Sequence, residues 1–386
     1  MTSGLGTDAM MRLCRLLARR AVAPLAGLTL ILGLGCDSST PAEPASLTEA
    51  IDDLAQQYVE VGAMVGVVRG AETLVLPYGT KRFGTDDPPD RHSVFEIGSI
   101  TKTFTTALLA QLILDGTLEP DEIVQPYLPA DRVTLPIGNG EQITFFQLAT
   151  HRSGLPKQVQ DSDYPKPPGF DPLNHYAAYT TDHIYDYLTN YVTLVFTPGS
   201  DWLYSNTGMG LLGHVLGLID GTSYETLVSR DVFDVLGMGS SSLFLTDAQL
   251  DNLALGHSSS RTVTPNYTAN DIYQGAGFIK SSLDDMLIYL KAHMRLTATP
   301  LNAALEYTRE PRFPVDYWGD SGLDWYTKGL DDGQVVTYKG GRTGGYGAYV
   351  GLNESTSTGT IVLLNHSVSG RAMQFGEDIL RVAARW

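Results

Sequence analysis

Strand-forming stretches sit at the two ends of this chain, with a long helical stretch between them. Met64–Val68 and Thr73–Leu76 are rich in β-branched and aliphatic residues and flank Gly70-Ala71-Glu72, which predicts a hairpin. A lone hairpin has too little to pack against, so it needs further strands. Those return only after Asn270, at Val335–Tyr338, Tyr346–Leu352 and Thr360–Leu364, with helical patterns at Ser282–Arg295 and Ala372–Ala384. From Leu118 to about Asn270 the pattern reads as helices separated by proline-rich loops. The two ends are therefore expected to share one antiparallel sheet, giving an α+β protein whose helical part is an insertion. The first helix is expected after the capping box Ser46-Leu47-Thr48-Glu49, with Ile51, Leu54, Tyr58 and Val61 on one face.

The least regular part is Lys157–Gly199, where Pro165, Pro167, Pro168 and Pro172 stand among Tyr164, Tyr176, Tyr179, Tyr185, Tyr187 and Tyr191. Prolines restrict such a loop, and its tyrosines are expected to pack it down rather than to line a cleft. No internal repeat or long low-complexity tract is present.

The N-terminus reads as an address. Arg12, Arg15, Arg19 and Arg20 precede the apolar run Ala21–Leu34, which ends at Gly33-Leu34-Gly35-Cys36. That run is short for a bilayer span and suits an export signal over residues 1–35. Its end resembles a bacterial lipoprotein signal with Cys36 as the lipidated residue, although Leu32 stands one place further back than usual. Residues 36–46 then form a tether. The expected location is the cell envelope, facing the periplasm, with membrane contact through the lipid alone.

The only cysteines are Cys14 and Cys36, so the folded part has neither disulfide nor thiolate chemistry. The eight histidines show no metal-ligand spacing, and no metal or other cofactor is expected. A formal net charge of -17 excludes nucleic acid as a partner.

Chemistry concentrates in Phe95-Glu96-Ile97-Gly98-Ser99-Ile100-Thr101-Lys102. Gly98 permits a sharp turn, and Phe104, Ala107, Leu108 and Leu112 follow at helical spacing. Ser99 then stands in the first turn of a buried helix, with Lys102 on the same face. A helix N-terminus favours a nucleophile whose reaction builds an oxyanion, and an amine one turn away can move the serine proton. Taken alone, the same residues describe a serine at a helix start and a lysine in water.

Two further segments offer partners. Tyr204-Ser205-Asn206 follows Pro198-Gly199. A phenol flanked by two lysines is expected to favour its phenolate and act as general base and acid, and the Asn206 amide can hold Lys102 and a substrate carbonyl. Lys339-Gly340-Gly341-Arg342 puts a cation at a strand edge beside glycines against which a substrate backbone can lie. A phosphate loop is excluded here, because the lysine precedes the glycines and no helix follows.

Ser-x-x-Lys, Tyr-x-Asn and Lys-Gly-Gly, in this order and spacing, resemble the serine β-lactamase and penicillin-binding protein superfamily on its class C side, including D-alanyl-D-alanine carboxypeptidase/endopeptidase relatives. Further likeness lies in Leu148–Leu155 and Gly275–Met286, and the whole extends from about residue 47 to the end. The resemblance implies a five-stranded antiparallel sheet flanked by helices (residues 47–98 and 271–386) and an all-helical domain (99–270), with the site between them. Ser99 would be acylated, Lys102 and Tyr204 would shuttle protons, and Asn206 would orient lysine and substrate. Lys339, Gly341 and Arg342 would bind substrate, with the Ser99 and Arg342 N–H groups as the oxyanion hole. His151 would be structural.

One departure matters. Gly340 stands where many members carry threonine, whose hydroxyl bonds a substrate carboxylate; an ionic hydrogen bond of that kind contributes about 1–3 kcal/mol. The implied substrates are D-Ala-D-Ala-type peptidoglycan peptides or β-lactams, with small acyl esters as the alternative that Gly340 favours. A non-catalytic penicillin- or peptidoglycan-binding protein is the contrasting reading, and two intact proton carriers argue against it.

Overall fold

A computed structural model of the chain describes residues 44–159 and 164–386. The expected signal (1–35), Cys36 and the tether as far as residue 43 lie outside the described residues. Among the described residues no helix is long and apolar enough to cross a membrane.

The expected hairpin forms from β1 (Gly62–Arg69) and β2 (Glu72–Gly79), and the ends of the chain do meet in one sheet. β1 pairs antiparallel with β10 (Thr358–Leu364), placing Val65 opposite Val362. β10 pairs with β9 (Gly347–Asn353), and β9 with β8 (Val335–Arg342). The sheet has eight strands rather than five, in the order β2-β1-β10-β9-β8-β7-β6-β5. The extra edge consists of β5 (Phe313–Val315), β6 (Gly319–Ser321) and β7 (Tyr326–Gly329). Runs of three or four residues interrupted by Pro314 and Gly319 are too short to show a period-2 pattern, so they could not be read as strands. A separate short ladder joins β3 (Val94–Glu96) to β4 (Lys280–Ser282).

Both faces of the central strands are buried. Val65, Val67, Val362 and Leu364 pack with Ile51, Phe375 and Ile379, from helices Leu47–Tyr58 and Arg371–Ala383. The alternate residues Met64, Val68, Ile361 and Leu363 join a second core with Leu283, Leu287 and Leu290 of helix Leu283–His293. That explains why these strands read as continuous apolar runs rather than as an alternation. Among the described residues between β3 and β4 every regular element is helical, including Thr101–Leu114 and Asn206–Asp220. In the Lys157–Gly199 loop, Tyr164, Tyr176, Tyr179, Tyr185 and Tyr187 are buried and Tyr191 is exposed.

Candidate active site

The β3–β4 ladder ends where the site begins. Beyond Glu96 the chain turns through Gly98, whose φ of 51° lies in the left-handed region that glycine adopts without a steric cost. One short helical turn, Gly98–Ile100, then feeds helix Thr101–Leu114, whose first ten residues are all buried. Lys102 is thus carried into the interior beneath Ser99, with its Nζ 3.1 Å from the Ser99 Oγ. Its other partner is the Ala276 carbonyl.

Tyr204 arrives from the opposite wall. The Leu203 N–H donates to the His151 carbonyl, and Ser205 caps helix Asn206–Asp220 through the Gly208 N–H. Held between these anchors, the Tyr204 hydroxyl donates to the Ser99 Oγ over 2.7 Å. Lys102 and Lys339 do flank the phenol, with their Nζ atoms 4.8 and 5.1 Å from its ring centre. The expected phenolate, however, is not favoured. Burial raises the Tyr204 pKa well above the usual phenol value, and the Asp324 carboxylate raises it further. Burial drives the Lys102 pKa well down against the opposing pull of the Asp324 carboxylate, and the charges of Lys339 and Lys157 add to that fall. Tyr204 is thereby held as the phenol, and Lys102 gives up its proton more readily than an ordinary lysine.

Lys339 lies within β8, which continues through the glycines as far as Arg342. Its Nζ is 2.6 Å from Oδ1 of the fully buried Asp324. The same Oδ1 lies 2.8 Å from the His151 Nε2, while the His151 Nδ1 accepts from the Ser205 N–H. With both ring nitrogens engaged, His151 is a structural residue under the cleft floor.

Asn206 lines the cleft, but its NH2 donates to the Tyr176 hydroxyl over 2.7 Å and its Oδ1 accepts nothing from Lys102. Asn206 opens a helix, so it does not continue an extended segment with Tyr204, and the Ala276 carbonyl takes the lysine instead. Gly341 and Arg342 pass directly alongside the Ser99 turn: a Cβ on Gly98 would lie 2.6 Å from the Arg342 backbone nitrogen. A side chain on Gly340 would need Met373 to move, since a Cβ there would lie 2.7 Å from Cγ of Met373.

Ser99, Tyr204, Asn206, Lys339, Gly341 and Arg342 all line one cleft of about 720 Å³. Sequence reasoning missed Asp324, Met373 and the cleft-lining Trp202 and Trp318. Asp324 lies in the apolar run Gly322-Leu323-Asp324-Trp325, and an acid in such a run was the available signal. Among the described residues no group of three or more His, Cys, Asp or Glu is placed to hold a metal ion.

Comparison with known proteins identifies the family and the fold. The family profile described as Beta-lactamase matches residues 47–385. A β-lactamase of Pseudomonas fluorescens is 26% identical over 82% of this chain and 91% of its own length. The D-alanyl-D-alanine-carboxypeptidase/endopeptidase AmpH of Escherichia coli K12 is 25% identical over 88% of this chain and 90% of its own. Among solved structures, a class C β-lactamase superposes with a TM-score of 0.75 at 22% identity, over 89% of this chain and 98% of that one. A β-lactamase/D-alanine carboxypeptidase from Pseudomonas syringae gives the same TM-score and identity over 87% of this chain and 99% of its own. These likenesses extend over almost the whole folded part, and the chain belongs to the β-lactamase family of serine hydrolases.

Proposed function

We propose that this protein hydrolyses D-Ala-D-Ala-type peptides or β-lactams through an acyl-enzyme on Ser99. The observation that carries this reading is the convergence on one oxygen, the Ser99 Oγ, of the Lys102 amine at 3.1 Å and the Tyr204 hydroxyl at 2.7 Å. Lys102 takes the Ser99 proton as Oγ attacks the acyl carbon. The carbonyl oxygen becomes an oxyanion between the Ser99 and Arg342 N–H groups. Tyr204 gives its proton to the leaving nitrogen and is reprotonated by the Lys102 ammonium. Water then releases the acyl group by the reverse relay. Asn206, Lys339, Gly341 and the Arg342 side chain hold the substrate. On this reading the cleft lies between residues 47–98 with 271–386 on one side and 99–270 on the other.

The names of the curated relatives support both substrate classes, since they include β-lactamases and a D-Ala-D-Ala peptidase. One observation favours a second reading, hydrolysis of small acyl esters. The Met373 thioether fills the space beside Gly340 where a hydroxyl could have met a substrate carboxylate. Turnover of nitrocefin, a D-Ala-D-Ala peptide and p-nitrophenyl butyrate by one preparation ranks the three. Ester turnover alone would remove the peptide and β-lactam reading.

We also propose export and lipidation at Cys36 as the route to the cell envelope. Cys36→Ala should release the protein from membranes, and unchanged pelleting would rule out the lipid anchor.

A further inference from the structure

The cleft floor holds more groups able to carry positive charge than negative ones. Lys102, Lys339 and His151 are all buried there, and Asp324 is the carboxylate that faces them. Asp324 has no exposed surface, and its Oδ1 takes both the Lys339 Nζ and the His151 Nε2. Its Oδ2 has no hydrogen-bond partner among the described residues. Burial alone would hold this carboxyl protonated, but the charges and hydrogen bonds of Lys339 and His151, with Lys102 behind them, take its pKa below the ordinary value. The remaining titratable groups around it are phenols: Tyr204 from the cleft wall, Tyr326 from β7 and Tyr289 from helix Leu283–His293. Asp324 also has a φ of 61°. This left-handed conformation is free for glycine and costs residues with a Cβ, aspartate less than most. A charged side chain that is both buried and strained points to a role beyond packing.

We infer that Asp324 is a positioning residue that gives the two active-site lysines different charges. Burial pulls the Lys339 pKa down, and the charge and contact of the Asp324 carboxylate oppose that fall and favour Lys339 as the ammonium of the site. Lys102 feels the same carboxylate only through space, without a contact, and burial outweighs that pull, so it is left as the amine that receives the Ser99 proton. A carboxylate placed midway would have stabilised both as ammonium ions and removed the base. With none, Lys339 would lose the charge that faces the substrate. This inference rests on the Ser99 acyl-enzyme reading for its catalytic meaning, but the charge division is measurable without any substrate.

The test is an NMR pH titration of the lysine ¹³Cε signals in the full folded protein, assigned with Lys102→Met and Lys339→Met. Lys102 should lose its proton about one pH unit or more below Lys339. In Asp324→Asn the gap should close by a similar amount, chiefly because Lys339 falls. Asp324→Gly, which relaxes the backbone, should behave alike and guards against a misfolded amide variant. The pH profile of acylation should respond in step, its alkaline limb moving to lower pH in both variants. Wild-type lysines that titrate together would overturn the inference. So would variants in which the gap and both limbs stay put while only the rate falls. If the titrations behave as expected but no acyl-enzyme forms on Ser99, the acyl-enzyme reading fails and the charge division stands.

Discussion

Gly341 passes so close to Ile97 that a Cβ on the glycine would lie 1.9 Å from the Ile97 carbonyl oxygen and 3.2 Å from the Ile100 nitrogen. Both obstacles are backbone atoms, and the Ile97 N–H is itself tied to the Ile279 carbonyl. The strand carrying Lys339 and the turn carrying Ser99 are therefore locked together at a spacing that only a glycine allows. Gly341→Ala should lower stability by about 1–3 kcal/mol, as overpacking does, and should cut acylation at least tenfold by displacing Ser99. Gly329, with open space at its Cβ position, is the control: Gly329→Ala should melt within a degree or two of wild type. Equal melting of the two variants would contradict the contact.

Removing either proton carrier should slow chemistry without unfolding the protein. Lys102→Ala and Tyr204→Phe are each expected to reduce the acylation rate by about a hundredfold or more. Stopped-flow acylation at saturating substrate checks this, and near-native rates in both variants would remove their assigned roles.

The Gly340–Met373 contact makes a specificity prediction. Gly340→Thr alone should be poorly accommodated, because its side chain meets Cγ and Sδ of Met373 at 2.7 and 2.8 Å. Gly340→Thr with Met373→Ala opens the space and supplies a hydroxyl. The double variant should gain about tenfold in kcat/KM toward a carboxylate-bearing β-lactam relative to p-nitrophenyl butyrate, the value of one ionic hydrogen bond. An unchanged ratio would show that the hydroxyl has no partner in the bound substrate.

Stability should fall as pH drops below about 6.5, the unperturbed histidine value. His151, His257, His293 and His366 all have pKa values lowered by burial. The unfolded chain then binds protons that the folded one refuses, so these groups cost nothing above pH 6.5 and destabilise progressively below it. His293 is the clearest case. It is wedged against Tyr289 and Trp325, has no hydrogen-bond partner for either ring nitrogen among the described residues, and lies close to the charge of Arg309. His293→Phe should remove up to about 1.4 kcal/mol per pH unit from the slope between pH 6 and 5. Urea unfolding at several pH values measures it, and an unchanged slope would mean that His293 is protonated in the folded state.

Much of this was legible in the sequence, for local reasons. Ser99 and Lys102 share one helix start, so their spacing alone puts them together. The central strands announced themselves because burial on both faces requires unbroken apolar runs. Tyr204 and Lys339 were readable only as members of an ordered set, since their meeting with Ser99 depends on pairings of distant segments. Asp324 offered only an acid within a short apolar run, which says nothing of its partners. Its importance arises from Lys339 and His151, which fold onto it from other parts of the chain. The phenolate expected for Tyr204 followed from counting lysines around it. What that count lacked was the burial of the phenol and the carboxylate on its far side. Asn206 was misassigned to Lys102 for a related reason, because the group that takes the lysine is a backbone carbonyl, that of Ala276, which no side chain at that position announces.

The most direct test of the account is intact-protein and peptide mass spectrometry of the full chain, quenched during reaction with a penicillin and with p-nitrophenyl butyrate. Wild type should carry an acyl adduct on the peptide containing Ser99 with at least one of the two reagents, and Ser99→Ala should carry none. An adduct that persists in Ser99→Ala, or turnover that survives the substitution, would contradict it.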